Sequence, residues 1–160
     1  MCGIVGAVAQ RDITPILLEG LRRLEYRGYD SAGVAIMNSQ HQLQRVRAVG
    51  KVIELEKALI ATPATGHLGI AHTRWATHGP PTTSNAHPHA TREVALVHNG
   101  IIENFKPLRA ELMARGRIFD SQTDTEVVAH LVSELVEQGV SPRDAVAQVL
   151  PRLHGAFALA

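Results

Sequence analysis

Met1-Cys2-Gly3-Ile4-Val5-Gly6 opens the chain and leads into an apolar run that continues to Ala9. A short apolar run bounded by polar residues predicts a buried strand. Cys2 is the only cysteine, and removal of Met1 would place its thiol and a new α-amine on one residue. An α-amine has a reference pKa of about 7.7–8.0, so part of it is neutral near pH 7 and can accept a proton. Cys2 would then supply a nucleophile and a general base together. The competing interpretation is a small buried apolar residue.

The composition indicates one domain and excludes several classes of protein. The chain has 160 residues, 45% hydrophobic and 19% charged, with a net charge of +1, which is ordinary for a globular domain. It contains no basic block for nucleic acid and no apolar run near the ~20 residues of a membrane span. A single cysteine cannot form an intrachain disulfide, which favours a reducing compartment such as the cytosol.

Strands and helices are mixed along the sequence. Apolar runs predict strands at about residues 3–9, 33–37, 43–49, 67–73 and 94–98, the last ending in Asn99-Gly100. Amphipathic periodicity predicts helices at about residues 13–25, 51–61, 104–115, 124–137 and 142–153. Polar loops are expected at 26–31 and 77–90.

Helix start signals support three of these helices. Asp12 can cap the first helix, the spacing of Thr123 and Glu126 is that of a capping box, and Ser141-Pro142 is an N-cap followed by proline. The last six residues, 155–160, are small and apolar and predict a strand that has only begun. We therefore expect the chain to be part of a longer polypeptide.

Four strings, in the same order, carry a family resemblance. They are Met1–Gly6, Leu24–Gly33 (LEYRGYDSAG), His72–Gly79 (HTRWATHG) and His98–Asn104 (HNGIIEN). The first resembles the N-terminal-nucleophile, or class II, glutamine amidotransferases. The other three resemble the glutaminase domain of the glucosamine-6-phosphate synthase family. Amidophosphoribosyltransferases and asparagine synthetases share the Cys start and the Asn-Gly pair but not the Arg-Gly and Arg-Trp strings.

The resemblance implies a fold and an activity. The fold class is α+β, the αββα sandwich of N-terminal nucleophile hydrolases, with too few strands for two full sheets and therefore truncated at the C-terminal end. Residues 1–160 would be the N-terminal part of the amidotransferase domain, without sugar-isomerase domains. The implied reaction is hydrolysis of the L-glutamine amide, without a cofactor, supplying ammonia for glucosamine 6-phosphate synthesis from fructose 6-phosphate. The parent enzyme is expected to be a cytoplasmic homodimer.

Attack on an amide produces an oxyanion, which needs hydrogen-bond donors. The Asn99 side chain and the Gly100 backbone N–H, at a predicted strand end, are the candidates. By pattern alone Asn-Gly is more often a tight turn, and the resemblance favours the catalytic role.

Glutamine also carries an α-carboxylate and an α-ammonium group. The resemblance assigns these to Arg74, whose planar fork suits a carboxylate, and to Asp124. Asp124 could equally be a helix first-turn charge, and Arg74 a surface charge.

The remaining candidate substrate residues follow from the same resemblance. Trp75 would belong to a loop that closes over glutamine, although a lone Trp is usually a core residue. Thr77 and His78 would line the pocket, and Arg27 and Gly28 would approach Cys2.

The histidines do not have the spacing of a zinc motif. We therefore expect no metal site, and consider His78 and His87 the histidines nearest the pocket. Two other functions remain open: a non-catalytic fragment that binds glutamine weakly or not at all, or the glutaminase domain of another N-terminal-nucleophile amidotransferase.

Overall fold

The computed structural model describes residues 2–160, so the expected removal of Met1 lies outside the described residues. These residues form eight strands: β1 (Gly3–Val8), β2 (Ser31–Met37), β3 (Leu43–Val49), β4 (Leu68–Arg74), β5 (His89–Ala90), β6 (Ala95–Leu96), β7 (His98–Gly100) and β8 (Phe157–Leu159). They also form five α-helices: α1 (Thr14–Leu24), α2 (Val52–Ala61), α3 (Phe105–Ala114), α4 (Thr125–Glu137) and α5 (Pro142–Val149). Short 3₁₀ turns follow α1 and α5.

The first sheet is antiparallel and has the strand order β1-β4-β2-β3. Helices α1 and α2 pack against it, because their apolar positions repeat on one helical face. Leu17 and Leu21 of α1 are fully buried, together with Val34 of β2 and Leu55 of α2. This apolar layer forms the core of the N-terminal half.

A second β layer is built from two separate pairs, β5-β6 and β7-β8. Helices α3, α4 and α5 share a second apolar cluster with Leu96 of β6, and Leu159 of β8 packs against it. The chain thus has the layer order helix, sheet, strand pairs, helix. This confirms the α+β sandwich of the N-terminal nucleophile hydrolases, with a second β layer of two short strand pairs.

Two sequence predictions on this half were wrong in detail. The strand expected at residues 94–98 is two strands, because the chain changes partner at Val97, which exchanges both backbone hydrogen bonds with Ala160. Asn99 and Gly100 consequently lie inside β7 and do not follow it.

The predicted capping box was also wrong. The first residue before α4 is Asp124, and the Glu126 carboxylate accepts hydrogen bonds from the backbone N–H groups of Asp120 and Ser121, both at 2.8 Å. The helix expected to end at residue 153 ends at Val149, because Pro151 has no N–H with which to continue it.

One predicted helix start is confirmed: Ser141 caps α5 by accepting from the N–H of Asp144 at 3.2 Å. The N-cap of α1 is Ile13 and not Asp12 as predicted. From one position further out, the Asp12 carboxylate accepts from the N–H of Thr14 at 3.2 Å. None of the helices in residues 2–160 is both long and apolar enough to span a bilayer.

Candidate active site

Strand pairing brings Cys2 to the end of β4. Gly3 of β1 pairs with Thr73 of β4, so the residue before β1 lies beside the residues that follow β4. The backbone N–H of Trp75 donates to the Cys2 Sγ at 3.2 Å. Gly3 lets α1 pack closely on the start of β1, because a Cβ there would lie 2.6 Å from the Leu24 side chain. A sulfur that accepts an N–H bond is held at a defined position.

Asn99 lies on the other side of Cys2. Its side-chain Nδ2 donates to the Cys2 backbone oxygen at 3.4 Å, and its Oδ1 is 2.8 Å from His72 Nε2. The NH₂ group of Asn99 therefore faces Cys2, while its side-chain carbonyl oxygen faces β4. This is the orientation that an oxyanion donor requires.

The backbone N–H of Gly100 points away from β8. The N–H groups of Val97 and Ile101 donate to carbonyls of β8 and its flanking residues, at 2.8 and 3.2 Å. Because alternate residues of an antiparallel strand bond to the same neighbour, the Gly100 N–H faces the opposite side. Gly100 has φ +117°, and a Cβ would lie 2.1 Å from the Ala156 oxygen, so a side chain is excluded.

Arg74 is buried and anchors the loop that follows β4. Its guanidinium donates to the carbonyl oxygens of His78, Gly79 and Pro80, the last two at 3.3 and 3.4 Å, and lies 3.7 Å from the Asp30 carboxylate. Burial lowers the pKa of Arg74, and the Asp30 carboxylate opposes that change. The guanidinium faces both the loop and the cavity.

Asp30 is a site residue that the sequence analysis missed. Besides the ion pair with Arg74, its carboxylate accepts from the backbone N–H of Ala76, and its own N–H donates to the Arg74 oxygen at 2.7 Å. Asp30 fixes the start of the loop. Its position inside the Leu24–Gly33 string was the available signal.

Asp124 lies at the start of α4 and is hydrogen-bonded to the segment that follows β7. Its Oδ2 accepts from the backbone N–H of Ile102 at 2.8 Å, and its Oδ1 lies 3.8 Å from His78 Nδ1 and 4.0 Å from His98 Nδ1. The carboxylate is buried. It places a negative charge beside the same cavity as Cys2.

Trp75 is 55% exposed and is not a core residue. Its ring lies over Gly28, where a Cβ would be 3.2 Å from the indole, and Gly28 has φ +70°. Arg27 donates from Nε to the Tyr26 hydroxyl at 3.1 Å. Gly28 therefore lies beside Trp75, whose backbone N–H bonds the Cys2 sulfur.

One small cavity unites most of the predicted residues. It has a volume of about 10 Å³, room for about one water molecule. Its lining includes Cys2, Arg74, Trp75, Thr77, His78, Gly100 and Asp124. Three predicted residues, Asn99, Arg27 and Gly28, do not line the cavity. Asn99 is hydrogen-bonded to Cys2, which does. A wider cleft of about 570 Å³ beside Arg115 is lined by charged and polar side chains and contains no thiol or hydroxyl group.

Four buried histidines lie between the two β layers, and we call His72, His87, His89 and His98 the histidine seam. The rings of His72 and His87 stack with centroids 4.2 Å apart. Burial lowers the pKa of every member, to about 4 for His72 and about 3 for His89. The seam is therefore neutral at pH 7.

Hydrogen bonds define how the seam is ordered. The His98 N–H donates to His87 Nδ1 at 3.3 Å, so the neutral His87 ring carries its proton on Nε2 and donates to the Thr125 hydroxyl at 3.2 Å. Thr125 is also 2.9 Å from His98 Nδ1. The sequence analysis placed His87 near the cavity but missed His72 and His98. Within residues 2–160, no three His, Cys, Asp or Glu side chains are grouped to hold a metal ion.

Residues 72–160 match the family model described as "Glutamine amidotransferase domain". The chain belongs to the glutamine amidotransferase family. Within that family it is 60% identical, over its whole length, to the N-terminal region of glutamine–fructose-6-phosphate aminotransferase [isomerizing] from Pseudomonas aeruginosa. It is 59% identical over 98% of its length to the enzyme of that name from Escherichia coli K12. The chain spans 26% of the length of both relatives.

Solved structures of amidotransferases have the same fold. The glutamine phosphoribosylpyrophosphate amidotransferase from B. subtilis, complexed with ADP and GMP, superposes with a TM-score of 0.82 at 27% identity. A structure titled as the allosteric regulatory enzyme of purine biosynthesis gives 0.84 at 28% identity. Each match covers 99% of this chain and 34% of the other. The identity to these solved structures, 27% and 28%, is lower than the 60% and 59% identity to the two aminotransferases.

Proposed function

We propose that this domain hydrolyses the side-chain amide of L-glutamine, with Cys2 as the nucleophile once Met1 has been removed. The observation that carries the proposal is that Cys2, Arg74, Gly100 and Asp124 line one cavity although they are far apart in the sequence. They supply a thiol, a cation, an oxyanion donor and an anion. Glutamine presents the complement of each: an amide carbon, a carboxylate, a developing oxyanion and an ammonium group.

In the first half of the reaction, the α-amine of Cys2 takes the thiol proton, and the sulfur attacks the amide carbon. The negative charge that develops on the amide oxygen is bound by the Asn99 Nδ2 and the Gly100 N–H. Both groups are preorganised, since Asn99 is held by His72 and Gly100 by the β7-β8 pairing. One such donor typically contributes about 2.7–4 kcal/mol to the barrier.

In the second half, the carbon–nitrogen bond breaks, and the α-ammonium group of Cys2 returns its proton to the departing ammonia. A glutamyl thioester remains on the sulfur. Water then attacks the thioester with the α-amine as base, and glutamate leaves. Each proton removed from a nucleophile is thereby returned to a leaving group, which is the general acid–base cycle of such sites.

Recognition of glutamine requires the loop after β4 to move. The cavity of about 10 Å³ is far smaller than the substrate, and Arg74 is bonded to the loop carbonyls of residues 78–80. We infer that the α-carboxylate replaces some of these carbonyls on Arg74, with Thr77 and His78 alongside it. Asp124 would bind the α-ammonium group. The exposed Trp75 would cover the bound substrate.

We further propose that residues 1–160 are the N-terminal part of a class II amidotransferase domain in a longer, cytoplasmic, homodimeric enzyme. Its sugar-isomerase domains would accept the ammonia and form glucosamine 6-phosphate from fructose 6-phosphate. The names of the relatives at 60% and 59% identity support this acceptor.

Replacing Cys2 by Ala tests the nucleophile. We expect glutamate release to fall by at least about 10⁴-fold, since loss of a nucleophile costs about a million-fold in a comparable covalent hydrolase. Release is measured by coupling glutamate to its dehydrogenase. The exposed substitution Ser39→Ala is the control and retains the wild-type rate. Retained activity in C2A would contradict the proposal.

The α-amine is tested separately by inserting one Ala between Met1 and Cys2. The thiol then remains while the amine moves to another residue. We expect hydrolysis to be lost although iodoacetamide still alkylates Cys2. Undiminished hydrolysis would exclude the amine as the base.

The narrow cavity favours one alternative, a domain that binds glutamine weakly or not at all. Mass spectrometry after incubation with a diazoketone analogue of glutamine separates the two. A covalent adduct on Cys2 that glutamine suppresses supports the enzyme. No adduct, with Cys2 still open to iodoacetamide, supports the alternative.

A further inference from the structure

His72 occupies an unusual position for a buried histidine. It lies in the middle layer of the sandwich on β4, is 0% exposed, and faces β7 across the gap between the two β layers. Its Nε2 is 2.8 Å from Asn99 Oδ1, a shorter contact than the 3.4 Å from Asn99 Nδ2 to the Cys2 oxygen. A polar side chain buried this fully is costly unless it is well bonded.

The direction of this bond follows from the acceptor. A carbonyl oxygen can only accept, so His72 Nε2 carries the proton and donates it. Burial lowers the pKa of His72 to about 4, so the ring is neutral at pH 7 and holds this one proton. Stacking on His87, with planes 18° apart, restrains the ring.

The bond determines which end of Asn99 faces Cys2. With Oδ1 bound to His72, the Nδ2 group is directed to the Cys2 side, where it lies 3.4 Å from the Cys2 oxygen. Rotating the amide by half a turn would place Nδ2 against the Nε2 proton and a carbonyl oxygen against the developing oxyanion. While His72 carries its proton on Nε2 both contacts are repulsive, so this tautomer disfavours the unproductive orientation.

We propose that His72 is a positioning residue that holds the Asn99 amide in the orientation needed to bind the oxyanion. This inference rests on the proposed glutaminase function. His72 touches neither substrate nor sulfur. His72 acts through its one hydrogen bond to Asn99, which in turn binds only the oxyanion of the transition state. Loss of His72 is therefore expected to lower kcat and to leave KM unchanged.

Two substitutions separate positioning from packing. In His72→Gln, the side-chain Nε2 stands at the same distance from Cβ and can still donate to Asn99. In His72→Leu, the volume is similar but the donor is absent. We expect H72L to lower kcat about 10- to 100-fold, less than the roughly 100- to 1,000-fold of deleting a donor outright. H72Q should retain most of the activity, and KM should change by no more than about twofold.

Controls make the assignment specific. His130 is another largely buried histidine. Its ring packs on that of Phe119, with centroids 4.6 Å apart, and it does not line the cavity. His130→Leu is therefore the matched control and should leave kcat unchanged. Iodoacetamide alkylation of Cys2 passes through no oxyanion, so H72L should be alkylated at the wild-type rate. In an Asn99→Ala background, H72L should cause no further loss.

Three outcomes would overturn the proposal. They are equal losses in H72Q and H72L, a parallel loss of alkylation, or additive losses in the H72L/N99A double variant.

A readout independent of activity is the side-chain ¹⁵N–H₂ signal of Asn99, assigned by its absence in N99A. It should shift in H72L and stay near its wild-type position in H72Q. If the wild type releases no glutamate but this signal responds as expected, the glutaminase function fails and the positioning role stands. An unresponsive signal in H72L overturns the positioning role.

Discussion

The molecule has two buried regions of opposite chemistry. Between α1, α2 and the first sheet, Leu17, Leu21 and Leu55 are fully buried in an apolar layer. Between the two β layers, the histidine seam is buried almost as completely. The first region gains stability from apolar surface removed from water. The second buries polar rings, which cost stability unless they are hydrogen-bonded.

The difference shows which interactions fix the geometry of the site. Apolar contacts are non-directional and tolerate small shifts, whereas the seam is ordered by directional bonds to Asn99, Thr123 and Thr125. Those bonds set ring tautomers and amide orientation beside Cys2. The apolar layer holds the sandwich together, and the polar layer determines the geometry of the site.

The largest difference between the two regions is expected in how pH changes the free energy of unfolding. The pKa of His72 is about 4 and that of His89 about 3 in the folded chain, against 6.5 without the fold. Between pH 6.5 and about 4 the unfolded chain therefore binds more protons, so stability is lost as pH falls. Each histidine contributes up to about 1.4 kcal/mol per pH unit. Urea midpoints across this range measure the slope.

The control is His89→Gln, which should reduce that slope by up to about 1.4 kcal/mol per pH unit. The Glu126 carboxylate titrates in a different window. Its pKa of about 2 lies below its usual 4.5, so its contribution is lost only as pH falls through that lower range. A slope that is the same with and without His89 would show that the seam does not govern acid stability.

Truncation in the apolar layer should be next in size. Leu17→Ala should lower the free energy of unfolding by about 2–5 kcal/mol, because it removes apolar surface and leaves a cavity. Ile60 is 82% exposed, so Ile60→Ala should stay within about 0.5 kcal/mol of wild type. Urea denaturation measures both. L17A should keep the wild-type pH slope, and a changed slope would mean that the two regions are not separable.

The smallest effect is expected from one hydroxyl of the seam. Thr125→Val keeps the side-chain shape but removes the oxygen shared by His87 and His98. We expect a loss of about 1–3 kcal/mol, the usual cost of leaving buried polar groups unbonded. Thr83→Val, at an exposed threonine, is the matched control. Equal unfolding midpoints for the two variants would show that this bond adds no stability.

Periodicity predicted the elements that bury one apolar face. The strand 43–49 was located to the residue, and β1, β4, α1 and α2 to within one or two residues. Periodicity did not predict strand boundaries that depend on which strand pairs with which. Nothing local in residues 94–98 indicates that the chain changes from β5 to β8 at Val97, because β8 is distant in sequence.

The site was partly predictable for a similar reason. Cys2, Arg74, Gly100 and Asp124 could be named from motif strings, and they line one cavity; their catalytic roles stay predictions. Asp30 and His72 stood inside those strings but were not assigned roles. What they do depends on which backbone or amide they face across the sheets, and that is a property of register.

The contacts of Cys2 have a consequence for folding. Its partners Trp75 and Asn99 lie 73 and 97 positions further along the chain. Contacts of such high sequence separation require long loops to close, which slows their formation. A chain in which α1, α2 and their strands have assembled would still lack the partner that Asn99 provides. The contacts of Cys2 are thus completed only after both halves have folded, so their formation would mark the end of refolding and not its beginning.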